Sequence, residues 1–200
     1  MSENVNEKDR RTVEMGRNIK YTEKYRKENI YKKTVRYAGG HMEFRKMVRF
    51  KQQLEEAECI EILKEEKRGV LAVLGDGDYP YAVPLNHYYS EEDGKIYFHG
   101  GKFGHKIDAM KNHDKVSYCV YDQGYREEGD WALHFRSVIV FGRVEFVEDE
   151  ETIIRLCREL SYKFTKDEAY IDDEIKHHAW RTLMFAIVPE HITGKRVKES

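Results

Sequence analysis

From residue 52 onward, apolar residues recur at helical spacing: Leu54, Ala57, Cys59 or Ile60, Ile62 and Leu63, with Glu and Lys between them. That spacing sets one apolar stripe on a helix, and Gly69 is its expected stop. The period then shortens. Val70 to Leu74 reads as a short apolar strand, followed by a hairpin turn at Gly75-Asp76-Gly77-Asp78. Tyr79 to Tyr89 is a long extended segment. Pro80 and Pro84 interrupt its donors, so it belongs at an edge or a bulge. Ser90 to Gly94 forms a second turn. Lys95 to His99 is a third strand, with Ile96 and Phe98 on one face and Tyr97 and His99 on the other.

A helix is expected from about Gly104 to Asn112, then a fourth strand through Val116, Tyr118 and Val120. Asp122 to Asp130 is a polar loop. Trp131 to Val147 is long and strand-like, with Val138, Val140, Val144 and Phe146 alternating. Glu148 to Lys163 reads as an amphipathic helix through Ile153, Leu156, Cys157 and Leu160. Asp172 to Arg181 reads as a further helix, and Leu183, Phe185 and Ile187 form a last strand. No internal repeat is present. Six antiparallel strands with helices spliced between them predict a mainly β fold with flanking helices, a small barrel of Greek-key type. Side chains fill the interior of such a barrel. A large cofactor would then lie outside it or at a subunit seam.

Charge divides the chain. Residues 1–41 hold 11 Lys/Arg against 6 Asp/Glu, and residues 42–200 hold 24 against 31. The first segment has little core-forming periodicity and is expected to be a basic extension. Residues 42–200 form the single folded domain. Ala38-Gly39-Gly40-His41 can back-translate into a purine-rich ribosome-binding sequence before an ATG at Met42. A misassigned start or a dispensable arm is the favoured reading. A genuine helical extension anchored by Tyr21, Tyr25 and Tyr31 is its rival. The acidic main part argues against a nucleic-acid partner. The basic front is an arm for an anionic partner or simply a solvated run.

Cys59, Cys119 and Cys157 are far apart and form no C-x-x-C pair, as suits a reducing compartment. The longest unbroken apolar run, Leu183 to Val188, is too short to span a bilayer. A cytoplasmic location and no membrane partner are expected. No metal is expected either. His87, His105 and His134 lack ligand spacing, and His177-His178 point apart on a helix.

The chemistry concentrates in Tyr97-Phe98-His99-Gly100-Gly101-Lys102-Phe103-Gly104-His105-Lys106. A strand runs through a glycine turn into a helix start, with cations around the turn. Glycine admits a close ligand, a helix start points free N–H groups outward, and lysine adds charge. The pattern suits a phosphate cradle as well as an ordinary strand-to-helix connection. It is not a P-loop, because Ile107 follows Lys106 where a hydroxyl is needed. It is not a dinucleotide fingerprint, because His99 stands in place of the first glycine.

Several segments together resemble one family. Gly69 to Asn86 resembles the first hairpin of the FMN-binding split-barrel proteins, which are pyridoxamine 5'-phosphate oxidase-like. Tyr97-Phe98-His99 with Gly104-His105-Lys106 is similar to their phosphate segment. Phe135 to Gly142 is similar to their central strand. His191-Ile192-Thr193-Gly194-Lys195 resembles the tail of the nitroimidazole-resistance branch. The likeness spans roughly Met42 to Val197.

The resemblance implies a six-stranded antiparallel Greek-key split β-barrel. It implies a homodimer that binds FMN, or FAD, in two grooves at the subunit interface. Val83, Pro84, Leu85 and Asn86 would meet the pyrimidine edge. Gly101, Lys102 and Lys106 would hold the phosphate, and Arg136, Ser137 and Lys195 would complete the site. His99 is either a catalytic residue near the flavin ring or a hydrogen-bond partner with no proton-transfer role. The implied activity is reduction of a small planar acceptor such as a nitroaromatic or quinone, with NAD(P)H as a transient reductant. A non-catalytic flavin- or haem-binding module is the alternative. The chain ends in Thr193-Gly194-Lys195-Arg196-Val197 rather than the Arg-Leu-x-Pro-type segment of a true pyridoxamine phosphate oxidase. That oxidase activity is therefore not expected.

Overall fold

The computed structural model describes residues 43–199. Nine antiparallel strands build one curled sheet: β1 (Gln53–Leu54), β2 (Arg68–Leu74), β3 (Pro80–Asn86), β4 (Tyr88–Tyr89), β5 (Ile96–Gly101), β6 (Lys115–Tyr121), β7 (Tyr125–Arg126), β8 (Leu133–Val147) and β9 (Thr182–Lys198). The strand order is β3-β2-β6-β8-β9-β5-β4, with β1 on β9 and β7 on β8. Strands β3 and β5 approach within 8 Å between Cα atoms but share no ladder. The barrel is therefore split along that line.

Four helices flank the sheet: α1 (Glu56–Glu65), α2 (His105–Asn112), α3 (Glu150–Tyr162) and α4 (Glu168–His178). Helix α1 starts at a capping box in which the Glu55 N–H donates to Glu58 Oε2 at 3.1 Å. Its stripe of Cys59, Ile62 and Leu63 is buried against the barrel. The interior is filled by Leu71, Phe98, Tyr118, Val138, Val140 and Phe185, all fully buried. Phe98 stacks on Phe185 with centroids 5.1 Å apart and meets the edge of Tyr118 at 4.9 Å. Helix α3 covers the other face of β5 and β9, where Leu156 packs with Tyr97, Met184 and Ala186. Hence β5 is buried on both faces until His99, which is exposed.

Nine strands replace the expected six. The three additions, β1, β4 and β7, have two residues each, below the length at which alternation is legible. The polar segment Asp122 to Asp130 contains β7, and the extended segment Tyr79 to Tyr89 breaks into β3 and β4 at buried His87. The first helix stops at Glu65, and Gly69 sits inside β2. A Cβ at Gly69 would lie 2.6 Å from the Cys119 carbonyl oxygen and 2.7 Å from the Tyr118 ring. Gly69 is therefore a packing glycine and not a helix stop. The last strand runs far beyond Ile187, pairing along its length with β8. Its one irregularity, between Phe141 and Gly142 on β8, skips Glu190, whose carboxylate accepts from Arg143 Nε at 2.8 Å. The expected extension, residues 1–41, lies outside the described residues.

Candidate functional site

The glycine turn opens where β5 ends. Register holds it against β9, with His99 opposite Met184 and Gly101 opposite Thr182. Gly104 takes φ 126°, which favours glycine, and turns the chain into α2. Ile107 and Asp108 N–H both donate to the Gly104 carbonyl. The preceding N–H groups, of His105 and Lys106, are left at the helix start. The Lys106 ammonium folds back over the turn, 3.6 Å from the point a Cβ on Gly100 would occupy. A Cβ at Gly101 or Gly104 would meet nothing within 4 Å. Open backbone, free N–H groups and a positive charge thus converge, as a phosphate requires.

His99 stands at the lip of this turn. It reaches solvent, yet desolvation by the surrounding wall lowers its pKa from 6.5, and the Lys106 ammonium lowers it further. The ring is neutral at pH 7. It can donate or accept a hydrogen bond there but holds no extra proton to give. His105, directly after Gly104 in the same motif, has a structural task. It stacks on Tyr81 of β3 at 4.3 Å, and its Nε2 accepts from the Asp76 N–H at 3.3 Å. Lys102 Nζ donates to the Trp180 carbonyl at 2.8 Å and ties the turn to the segment entering β9.

The other predicted residues lie elsewhere in the protomer. Among the described residues, strand β3 pairs only with β2, Pro84 opposite Val70 and Asn86 opposite Arg68. Val83 and Leu85 pack against the core, Pro84 is exposed, and Asn86 Oδ1 accepts from Arg68 Nε at 2.8 Å. The far side of β3 carries no ladder among the described residues, so its backbone donors and acceptors face outward there. Ser137 sits opposite Tyr121 on one side and Lys195 on the other, and Lys195 is opposite Gln53. Lys195 is eleven residues beyond the partner of His99 on β9, roughly 36 Å of extended chain. Within one protomer, His99, Gly101, Lys102 and Lys106 come together. Ser137 and Lys195 form a separate row.

Arg136, next to that row, is paired, as its place in an apolar strand demands. Its Nε lies 2.8 Å from Asp122 Oδ2, its backbone N–H donates to Asp122 Oδ1 at 2.8 Å, and Glu65 approaches at 3.7 Å. The Asp122 bond and charge raise its pKa further. Arg136 forms one wall of a cleft of about 460 Å³, lined also by Glu66, Asp122, Tyr125, Phe135 and Arg196. This cleft is not legible in the sequence, because its lining includes the short strand β7 inside a polar loop. It shares no residue with the glycine turn.

His134, also on that wall, has carboxylate neighbours that its sequence spacing does not announce. The hairpin brings its ring near Glu127 and Asp130, with ligand atoms within 4.8 Å of one another. The group is set by the pairing of β7 with β8 across a loop and not by a local motif, which hid it. Asp130 is already engaged, bonded to Lys198 Nζ at 3.0 Å and to the Ala132 N–H at 3.0 Å.

A curled antiparallel sheet that closes without a β3–β5 ladder, with helices on its flanks, is a split barrel. The chain matches the pyridoxamine 5'-phosphate oxidase family model over residues 55–196 and belongs to that family. No curated protein matches the sequence. Among solved structures, it is similar to a candidate 5-nitroimidazole antibiotic resistance protein from Bacteroides thetaiotaomicron. That match has 20% identity, covers 82% of this chain and 98% of the other, and has a TM-score of 0.61. It is similar to a FAD-binding protein from Mesorhizobium loti at 26% identity, covering 73% and 97%, with a TM-score of 0.55. A FAD-binding protein from Mycobacterium smegmatis matches at 19% identity over 74% and 99%, with a TM-score of 0.54.

Proposed function

We propose that this chain is a flavin-dependent oxidoreductase that reduces a small planar acceptor, a nitroaromatic or a quinone. The observation that carries the reading is the turn at Gly100–Lys106, where an ammonium, free N–H groups and open backbone fit a flavin phosphate. The bound flavin supplies the two-electron chemistry. Lys106 and the helix start hold the phosphate. The unpaired side of β3 at Val83–Asn86 offers donors and acceptors to a planar heterocycle. Neutral His99 orients the ring or the acceptor by a hydrogen bond. The similarity to the FAD-binding protein from Mesorhizobium loti supports a flavin ligand.

Two features support a homodimeric site. Ile139 and Phe141 alternate with buried Val138 and Val140 on β8, and each is 37% exposed on the outer sheet face. Cys119 and Val70 lie in line with them across the sheet. A second copy is the natural cover for that apolar face. The separation of the Ser137–Lys195 row from the turn is also met if the row of one protomer serves the turn of its partner. Arg196 donates to Glu58 at 2.6 Å and so is already engaged. That supports a reading without pyridoxamine phosphate oxidation. NAD(P)H would bind transiently over the flavin. Among the described residues no helix is long and apolar enough to cross a membrane. The three unpaired cysteines suit a cytoplasmic setting.

Native mass spectrometry and the visible spectrum of the purified protein test the reading together. A flavin mass and flavin absorbance are expected, on a species of twice the chain mass. A Soret band, or a colourless protein that takes up no flavin, refutes it.

A further inference from the structure

The β7–β8 hairpin gathers two carboxylates around an imidazole. Register sets Tyr125 opposite His134 and Arg126 opposite Leu133. The loop between the strands turns back on itself, with the Asp130 N–H donating to the Glu127 carbonyl at 3.0 Å. One ligand atom from each of Glu127, Asp130 and His134 lies within 4.8 Å of the others, and His134 Nε2 stands 3.8 Å from Glu127 Oε1. The imidazole is held in place by stacking on Tyr125, ring centroids 4.9 Å apart.

Nε2 itself points to a ligand. It is shut off from solvent, yet among the described residues nothing completes a hydrogen bond to it. An orphaned polar atom of this kind is costly. Gln52 Oε1 is a second shut-off atom without a hydrogen-bond partner, and Gln52 and His134 line the same cavity of about 220 Å³. The carboxylates already draw a cation, since Lys198 Nζ lies 3.0 Å from Asp130 Oδ2. That ammonium side chain is 51% exposed and free to swing away.

We propose that Glu127, Asp130 and His134 bind a divalent first-row transition ion, zinc by the character of the set. The inference is independent of the flavin reading. One imidazole nitrogen with carboxylate oxygens suits zinc, whereas calcium and magnesium take oxygen alone. Ligand atoms about 2.1 Å from zinc stand roughly 3.4 Å apart at a tetrahedral angle. The group therefore closes by a small rotation of Glu127, whose side chain is 59% exposed, as Lys198 gives up Asp130. Asp130 stays oriented by the Ala132 N–H, which donates to its Oδ1 at 3.0 Å. The ion clips the loop to β8 at the wall of the cleft that Arg136 also lines.

The test titrates the untagged full chain, first dialysed against a chelator, with zinc chloride by calorimetry. One zinc per chain is expected, with a melting temperature that rises with zinc concentration. His134→Ala should abolish the binding. Glu127→Gln, an exposed change that leaves folding alone, should weaken it by at least about 10-fold, the smaller loss that even an outer partner of a metal ligand causes. Lys198→Met should tighten it, because the ammonium no longer competes for Asp130. Replacing His177 and His178 together by Ala should change nothing, although each stands beside a carboxylate on α4. A second measurement reads the loop directly. Trp131 follows Asp130, and the chain has two tryptophans. In Trp180→Phe, cobalt(II) should quench Trp131 emission until zinc displaces it, and excess calcium or magnesium should not restore it.

A native chain that takes up no zinc overturns the proposal. So does binding that survives both His134→Ala and Glu127→Gln unchanged. Binding lost with His177 and His178 overturns it too, because the ion is then an adventitious one on α4. Unchanged affinity in Lys198→Met overturns the exchange of Lys198 for the ion. None of these outcomes bears on whether the chain holds a flavin.

Discussion

The Tyr118 hydroxyl lies 2.9 Å from Nδ1 of His87, and Nε2 of the same ring lies 2.8 Å from the Leu63 carbonyl oxygen. Both residues are fully buried. The neutral ring satisfies both ends, with Nε2–H donating to Leu63 and Nδ1 accepting from Tyr118. One hydrogen-bonded knot therefore joins α1, β6 and the link between β3 and β4. Burial, and next the Lys163 ammonium, push the His87 pKa down to about 3, while the Leu63 carbonyl opposes the shift.

That shift gives stability a pH dependence. The folded pKa lies below the ordinary 6.5. Above pH 6.5 neither state binds the proton, and His87 contributes nothing. As pH falls from 6.5 toward 3, the unfolded chain takes up a proton that the folded chain refuses. Stability then falls by up to about 1.4 kcal/mol per pH unit. His99, also lowered, adds in the same direction. Urea unfolding between pH 7 and pH 5, above the carboxylate range, measures the slope. A His87→Gln protein that still folds should show a shallower slope, and an unchanged slope assigns the effect elsewhere.

Lys106→Ala should weaken FMN and spare riboflavin, which has no phosphate. A hydrogen bond to a charged group is worth roughly 1.5–3 kcal/mol, so the loss should be about 10- to 100-fold. Fluorescence titration with both ligands reads it. Equal loss for both would remove Lys106 from the phosphate.

His99→Ala separates two roles. If the ring acts beside the flavin, bound flavin is retained while single-turnover reoxidation by a nitro or quinone acceptor slows. The native rate should also change below pH 6.5, because the lowered pKa keeps the ring neutral above it. A variant that loses flavin but reoxidises normally when saturated makes His99 an anchor.

A chain beginning at Met42 should fold, dimerise and bind flavin as the full chain does. Phe44 stacks on His191 at 4.6 Å and meets Phe141 at 5.6 Å, so the barrel already grips the segment from that point. A chain beginning at Lys51 loses this cover, and its melting temperature should fall. A large drop for the Met42 chain would make residues 1–41 part of the fold.

The long strands and the main helices were legible because burial on one side imposes period two or a helical stripe. β8 shows it best, with Val138 and Val140 buried and Ile139 and Phe141 outside. The glycine turn was legible because its chemistry is contiguous in sequence. Gly69 misled because a glycine after an amphipathic stripe is the ordinary sign of a helix end. Its actual reason, the approach of Tyr118 from β6, is distant in sequence. The pairing of Arg136 with Asp122 could be demanded from burial, but its partner could not be named. The cleft beside it depends on a two-residue strand, and the tie between Lys102 and the Trp180 carbonyl on the register of β9 against β5. Neither leaves a local trace.

Strand β9 runs from the glycine turn to the Ser137–Lys195 row. It carries the partners of His99 and Gly101 at its start and Lys195 near its close, bound along the way to β8. Both groups of residues thus lie along one continuous strand, paired to β8 for most of its length. Little backbone is left to order at either end, so exchanging exposed side chains there should leave the barrel's folding as it is.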